Sequence, residues 1–236
     1  MNAGVAWYVN DRAAFLRDPA DSVVGRLASG AAAEGLHIER EQHEEWRASV
    51  GVLQRELEDH ARKIALLKTT LAAADLAAFR HVLLEFDFRR RGLRMDCVLL
   101  GDGVIAVVEF KRSKLGAADR EQVTNYALNL VEFHEETRRL VREENCIVAP
   151  VLALTVDRSL EQRQFQSGFH RNPWASVMAR PVECSSATLH EALRFVLSQR
   201  RAVSAVDCVK WLSARFAPSS SILDAAISLY GQHDVS

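Results

Sequence analysis

Three short apolar runs separated by turns constrain the fold of this chain most. They are His81–Phe88 (HVLLEFDF), Met95–Leu100 (MDCVLL) and Val104–Phe110 (VIAVVEF). Apolar runs of this length, bounded by charges or turn residues, predict β-strands. The segment Gly101-Asp102-Gly103 predicts a tight hairpin, because such a turn needs residues that tolerate positive φ. The middle of the chain is therefore predicted to form three consecutive strands.

Helical periodicity flanks these strands on both sides. Before them, apolar positions recur at threes and fours from Glu39 to about Ala74, which predicts one long helix after shorter helices at Asp11–Leu16 and Asp21–Ala33. After them, Asp119 to about Glu143 returns to the helical period, and Ile147–Val156 predicts another interior strand. The predicted order is helix, three strands, helix, strand, which is an α/β (α+β) arrangement.

Composition and charge narrow the class of protein. The 236 residues are 48% hydrophobic and 26% charged, with 11 Gly and 5 Pro, which excludes collagen-like, low-complexity and wholly disordered chains. No apolar run reaches the roughly 18–20 residues that span a bilayer, so we expect a cytoplasmic protein with no membrane partner. The four cysteines are scattered singly and predict buried, reduced thiols. The formal net charge of −1 gives no global indication of a nucleic-acid partner.

Charged side chains at the ends of the predicted hairpin strands indicate a metal-binding catalytic site. Asp96 lies at the head of the second strand, and Glu109-Phe110-Lys111 ends the third, so the turn brings them together. Two carboxylates and a lysine at the edge of an apolar sheet are costly to desolvate unless a divalent cation and an anionic substrate compensate. Asp96, Glu109 and the Phe110 carbonyl are oxygen ligands suited to Mg or Mn, and Lys111 is suited to stabilising charge on a phosphate.

These residues also have simpler, non-catalytic interpretations. Glu-x-Lys tripeptides are common in chains rich in both residues, and the arginine run Arg89–Arg94 is by itself most simply a solvated turn. Glu44 and Glu45 on the long helix are further acidic candidates, although glutamates on helix surfaces are usually just solvated. The strand context, with an aspartate one hairpin earlier and a helix following, favours the catalytic interpretation.

This arrangement resembles the PD-(D/E)xK phosphodiesterase superfamily. The resemblance implies a restriction-endonuclease-like core, with a mixed central sheet flanked by helices and with helical N- and C-terminal additions. It implies that Asp96 and Glu109 are metal ligands and that Lys111 is the catalytic lysine. Gln122 and Tyr126 on the following helix resemble the Gln-x-x-x-Tyr signature of the RecB-like branch, where they would bind substrate or support the ligands; alternatively they are a surface Gln and a packing Tyr.

Two more residues near the predicted site are candidates for supporting roles. Glu85, inside the first strand, is a carboxylate that could complete a metal shell or act in a second sphere. Arg94 adjoins the site and is a candidate for contacting substrate phosphate.

A narrower resemblance spans nearly the whole chain. The segments LEFDFRRRGLRMDCVLL, VVEFKRSK, DREQVTNYALNL and SSSILDAAISLY are similar to the N-terminal nuclease-like region of bacterial Schlafen-like DNA/RNA helicases. The resemblance implies an N-terminal helical part (residues 1–75), a nuclease core (76–200) and C-terminal helices leading toward a helicase motor (201–236). The motor itself is not expected within this chain, because no Gly-Lys dipeptide of a phosphate-binding loop occurs.

These observations predict a Mg- or Mn-dependent nuclease that acts on nucleic acid, with DNA favoured over RNA. Two alternatives differ in class. A PD-(D/E)xK fold can serve as a non-catalytic nucleic-acid-binding or protein-docking domain, because fold does not fix function. An unrelated α/β interaction domain would place Asp96 and Lys111 far apart.

Overall fold

The computed structural model of the protein describes residues 6–35, 45–88, 93–156, 160 and 164–219. Its strands are β1 (Ala6–Asp11), β2 (Phe79–Phe88), β3 (Leu93–Gly101), β4 (Val104–Lys111), β5 (Ile147–Leu154) and β6 (Val182–Ser185). Its helices are α1 (Arg12–Arg17), α2 (Ala20–Gly35), α3 (Glu45–Leu71), α4 (Ala117–Phe133), α5 (Glu135–Glu143), α6 (Leu189–Ser198) and α7 (Cys208–Ser213).

Within the described residues, the six strands form one mixed sheet in the order β1-β2-β3-β4-β5-β6. Strands β1 to β4 pair antiparallel, whereas β4, β5 and β6 run parallel to one another. The parallel pairing follows from the long connection between β4 and β5, which contains α4 and α5. The chain is thus a mixed α/β protein with a six-stranded sheet.

Helices cover both faces of the sheet, and each face has its own apolar core. One face packs against α1, α2, α3 and α6, and the other packs against α4, α5 and α7. Strand β5 is buried along its whole length, which explains its continuous apolar sequence.

The cysteines Cys97, Cys146, Cys184 and Cys208 are free and buried, as predicted. None of the helices within the described residues combines the length and apolarity that crossing a membrane requires.

The structure confirms the three predicted central strands and their hairpin, and it adds two strands that the pattern did not predict. Strand β1 pairs with β2, so the N-terminal part of the chain is not only helical. Strand β6 pairs with β5 over four residues, in a segment for which the sequence pattern predicts no strand. Both strands lie at an edge of the sheet, where short segments carry little periodic signal.

The helix predicted from Asp119 to Glu143 is two helices, and His134 separates them. The backbone of His134 is extended, and the His134 side chain accepts a hydrogen bond from the Thr137 amide at the start of α5. The ring is buried against Trp211 and Phe216, and burial lowers the pKa of His134 to about 4. The histidine therefore caps the second helix and anchors it in the core.

The β3–β4 turn gives a prediction about stability. Gly103 has a φ of 69°, and a Cβ on it would collide with the backbone carbonyl of Ala202. Gly103→Ala is therefore expected to lower the free energy of unfolding by about 3 kcal/mol or more. Gly25→Ala in α2 is the matched control: its Cβ would enter open space, so the helix should gain roughly 0.5–1 kcal/mol. Urea unfolding measures both; equal stabilities would contradict the prediction.

Several sequence predictions lie outside the described residues. They are the start of the long helix before Glu45, the side chains of Glu44 and Glu45, the arginines Arg89, Arg90 and Arg91, and the part of the expected C-terminal helices beyond residue 219. The predicted division into residues 1–75, 76–200 and 201–236 stays a prediction.

Candidate active site

The site forms where β3 and β4 stop pairing. Their ladder ends at Cys97 and Val108, and one residue further the same register brings Asp96 opposite Glu109. The Asp96 carboxylate spans the gap, because its Oδ2 accepts a hydrogen bond from the Phe110 amide at 2.8 Å. Asp96 thus satisfies an amide that the ladder no longer serves, and it is fixed beside Glu109.

Glu85 lies next to Asp96 on the other side, at an irregularity in β2. The pairs Leu84–Cys97 and Phe86–Met95 flank it, so the register places Glu85 opposite Asp96. Its φ of 51° is unusual for a residue other than glycine. Leu84 and Phe86 consequently pack into the cores on opposite faces of the sheet, although residues two apart in a regular strand share a face. The three carboxyl residues lie in a row across β2, β3 and β4.

Helix α3 adds two polar side chains to this row. The Lys63 Nζ donates to Asp96 Oδ1 at 2.7 Å, and the His60 Nδ1 lies 3.7 Å from Glu85 Oε1. The two residues share a helix face because they are three positions apart. Ile64 is fully buried in the core, which holds this part of the helix against the sheet.

Three side chains, one of them that of Glu109, hold the ammonium of Lys111. Its Nζ lies 3.3 Å from Glu109 Oε1, 2.9 Å from Gln122 Oε1 and 3.4 Å from Asp119 Oδ1. The Gln122 Nε2 in turn donates to Glu109 Oε1 at 3.2 Å and to the Tyr126 hydroxyl at 2.7 Å. Helix α4 therefore orients Lys111 and Glu109 through a connected network.

The site carries more acidic than basic groups. Four carboxyl groups, on Glu85, Asp96, Glu109 and Asp119, face two ammonium groups, on Lys63 and Lys111, and the Arg94 guanidinium also acts on Glu85. Burial, reinforced by Asp96, raises the pKa of Glu85 to about 7, and the same two causes raise the pKa of Glu109. Burial disfavours the ammonium of Lys63, but Asp96, together with Glu85 and Glu109, outweighs this effect and the pKa of Lys63 is raised. A further cation is the natural compensation for this excess of carboxyl groups.

The raised pKa of Glu85 gives a prediction about pH. A carboxyl whose pKa is about 7 when folded, against an ordinary value of 4.5, binds more protons in the folded state, so its contribution to stability falls as pH rises from about 5 to 7. Glu85→Gln removes this loss. The free energy of unfolding of the variant, relative to that of the parent, should therefore be about 2–3 kcal/mol higher at pH 8 than at pH 5. Urea unfolding at both pH values measures the difference. Glu58→Gln, at an exposed position of α3, is the control. A difference that does not change with pH would contradict the prediction.

The oxygen atoms present suit a hard divalent cation. The Glu109 Oε2 is buried and has no hydrogen-bond partner, which is costly for a carboxylate unless a ligand satisfies it. Asp96 Oδ1, beside it, is at present bound by an ammonium group. Across the described part of the chain, no three His, Cys, Asp or Glu side chains are already grouped closely enough to enclose a metal ion. Asp96, Glu109 and the Phe110 carbonyl are the groups that would hold Mg²⁺ or Mn²⁺.

The structure brings most of the sequence-predicted site residues together. Asp96, Glu109 and Lys111 meet through the contacts described above, Gln122 and Tyr126 join them from α4, and Glu85 lies alongside. The Phe110 side chain packs into the core on the α3 face, with the centre of its ring 6.0 Å from the Lys63 ammonium, and its backbone amide donates to Asp96. Arg94 lies with its guanidinium 4.1 Å from the centre of the Trp7 ring. Its contact with substrate phosphate stays a prediction.

Sequence reasoning missed three charged or titratable residues of the site: His60, Lys63 and Asp119. His60 and Lys63 lie on the long helix, for which the sequence pattern offered Glu44 and Glu45 as the acidic candidates. The available signal was that Lys63 directly precedes the apolar position Ile64. Asp119 also caps its own helix, since its carboxylate accepts from the Gly116 amide. A capping role of this kind is common, and it does not mark the residue as functional.

Comparison with known proteins adds no relative to this description. No family model matches the sequence, and neither the curated proteins nor the solved structures include a significant match.

Proposed function

We propose that this protein is a metal-dependent nuclease that hydrolyses phosphodiester bonds of nucleic acid, with DNA as the favoured substrate. The observation that carries the proposal is the meeting of Asp96, Glu109 and Lys111 where β3 and β4 separate. The order of elements around this point, with a helix before three strands and another helix after them, supports a PD-(D/E)xK core.

Each residue has a distinct chemical task in this proposal. Asp96 and Glu109 would hold the cation, which when bound would supply Lewis-acid stabilisation of the negative charge on the scissile phosphate. Lys111 places its ammonium beside Glu109, where it can orient the attacking water and neutralise charge that develops on the phosphate. Gln122 and Asp119 restrict the position of Lys111, and Tyr126 restricts Gln122. This preorganisation matters because a catalytic group works only within a narrow range of positions.

The experiment is a cleavage assay on the purified full chain. Labelled single- and double-stranded DNA and RNA are incubated with Mn²⁺, with Mg²⁺ or with chelator. The proposal expects cleavage of DNA that requires the metal and stops with chelator. Absence of cleavage under every metal condition would refute it.

The alternative is a non-catalytic domain on the same fold, which binds nucleic acid or docks a protein. The Lys63–Asp96 ion pair favours this alternative specifically, because an ammonium group already neutralises the central carboxylate without a metal ion. Tight binding of nucleic acid by a protein that cleaves nothing would decide for it. A C-terminal helicase motor as a partner belongs to the proposal through the resemblance alone.

A further inference from the structure

Lys63 occupies an unusual position among the acidic groups of the site. Its ammonium bonds to Asp96, and Glu85 and Glu109 also contribute to raising its pKa. The Lys63 side chain is 21% exposed and that of Asp96 is 15% exposed, so the pair is mostly buried but still reached by solvent. The ammonium also lies 6.0 Å from the centre of the Phe110 ring.

The same Asp96 oxygen cannot serve Lys63 and a divalent ion equally well. Asp96 Oδ2 is committed to the Phe110 amide, which leaves Oδ1, the oxygen bound by Lys63, as the principal ligand atom. A divalent ion at 2.0–2.6 Å from Oδ1 would also lie within a few ångströms of the ammonium, where like charges repel strongly. Metal binding therefore requires the ammonium to move.

We propose that Lys63 is a built-in cation that occupies the metal position on Asp96, and that an incoming divalent ion displaces it toward the phosphate of the substrate. This inference rests on the proposed nuclease function, because it assigns the divalent ion to Asp96 and Glu109. The partly exposed lysine has four rotatable side-chain bonds, so its ammonium can leave the carboxylate while its helix stays packed. The displaced ammonium remains close to the site as a phosphate-binding group.

The test measures binding of Mn²⁺ itself, by electron paramagnetic resonance of the free ion, to the parent and to two variants, Lys63→Met and Lys63→Gln. Removal of the competing ammonium should raise Mn²⁺ affinity about tenfold. Arg62→Gln is the matched control: it removes one positive charge from the next position of α3, where the guanidinium pairs with Glu58 and Asp59 at the surface. Its Mn²⁺ affinity should stay within about twofold of the parent.

A second measurement tests where the ammonium goes. At saturating Mn²⁺, the Lys63 variants should bind a phosphorothioate oligonucleotide about threefold or more weakly than the parent, because they lack one phosphate contact. A purely structural lysine would not make metal binding tighter and substrate binding weaker in the same variant. Unchanged oligonucleotide affinity would refute the transfer of Lys63 to phosphate.

The outcomes separate this inference from the proposed function. Equal or weaker Mn²⁺ binding by the Lys63 variants, with metal-dependent cleavage by the parent, refutes only the proposed exchange of the Lys63 ammonium for a divalent ion on Asp96. No Mn²⁺ binding by the parent or by either variant refutes the exchange and the metal-dependent nuclease together. If one Lys63 variant does not fold, the other still decides the question.

Discussion

Asp96→Asn is expected to abolish metal-dependent cleavage, with a rate at least about 10³-fold below that of the parent. Asparagine has nearly the same shape, and its side-chain oxygen can still accept the hydrogen bond from the Phe110 amide that Asp96 accepts now. The substitution removes the negative charge that attracts a divalent ion and leaves Lys63 without its counter-charge. Metal binding and hydrolysis should therefore be lost while the fold is retained.

The measurements for Asp96→Asn are cleavage rate, Mn²⁺ titration and affinity for nucleic acid. Affinity for uncleaved nucleic acid without metal should rise, because repulsion between the carboxylate and phosphate is relieved. Asp102→Asn is the matched control: Asp102 lies in the turn after the far end of β3, where it pairs with Arg80. A parent that cleaves with metal and an Asp96→Asn variant that cleaves equally well would place the chemistry elsewhere.

Lys111→Ala is expected to lower the cleavage rate by about 10²- to 10³-fold while metal binding persists. Lys111 bonds to Glu109 Oε1, and Asp96 is held separately by the Phe110 amide, so removal of Lys111 leaves both proposed metal-binding carboxylates present. What is lost is a positive charge, fixed by Gln122 and Asp119, that is proposed to act on the phosphate in the transition state. The effect should appear in the maximal rate rather than in the metal concentration needed for half activity.

The control for this prediction is Lys210→Ala, which removes an exposed ammonium that pairs with Glu136 on the α5–α7 side of the molecule. Its cleavage rate should equal that of the parent. A Lys111→Ala variant that loses metal affinity as well would assign Lys111 to holding Glu109 in place. Full activity in Lys111→Ala would remove it from the mechanism.

The two lysines have different proposed roles at the carboxylates of Asp96 and Glu109. Lys63 contacts Asp96 from α3, and Lys111 contacts Glu109 from the end of β4. Substitution of Lys63 is expected to strengthen metal binding, whereas substitution of Lys111 is expected to leave it unchanged. Mn²⁺ titration of the two variants side by side therefore distinguishes a competing cation from a catalytic one.

Local sequence patterns determined the central strands and the core of the site. The apolar runs and the Gly101-Asp102-Gly103 turn specify β2, β3 and β4, because burial on both faces demands nearly continuous apolar residues. The hairpin then fixes the register, and with it the approach of Asp96 to Glu109. Gln122 and Tyr126 follow from helical spacing on α4. These relations join residues that are close in sequence.

Only the tertiary structure decided which distant side chains complete the site. Lys63 precedes Asp96 by 33 residues, and their ion pair exists because α3 packs across the face of the sheet that carries Phe110. The break in alternation at Glu85 has no periodic signal, since a positive φ at a glutamate arises from the surrounding packing. Likewise, β1 and β6 are strands because the sheet offers them an edge. Local propensity could not specify these features, because each depends on contacts between segments far apart in the chain.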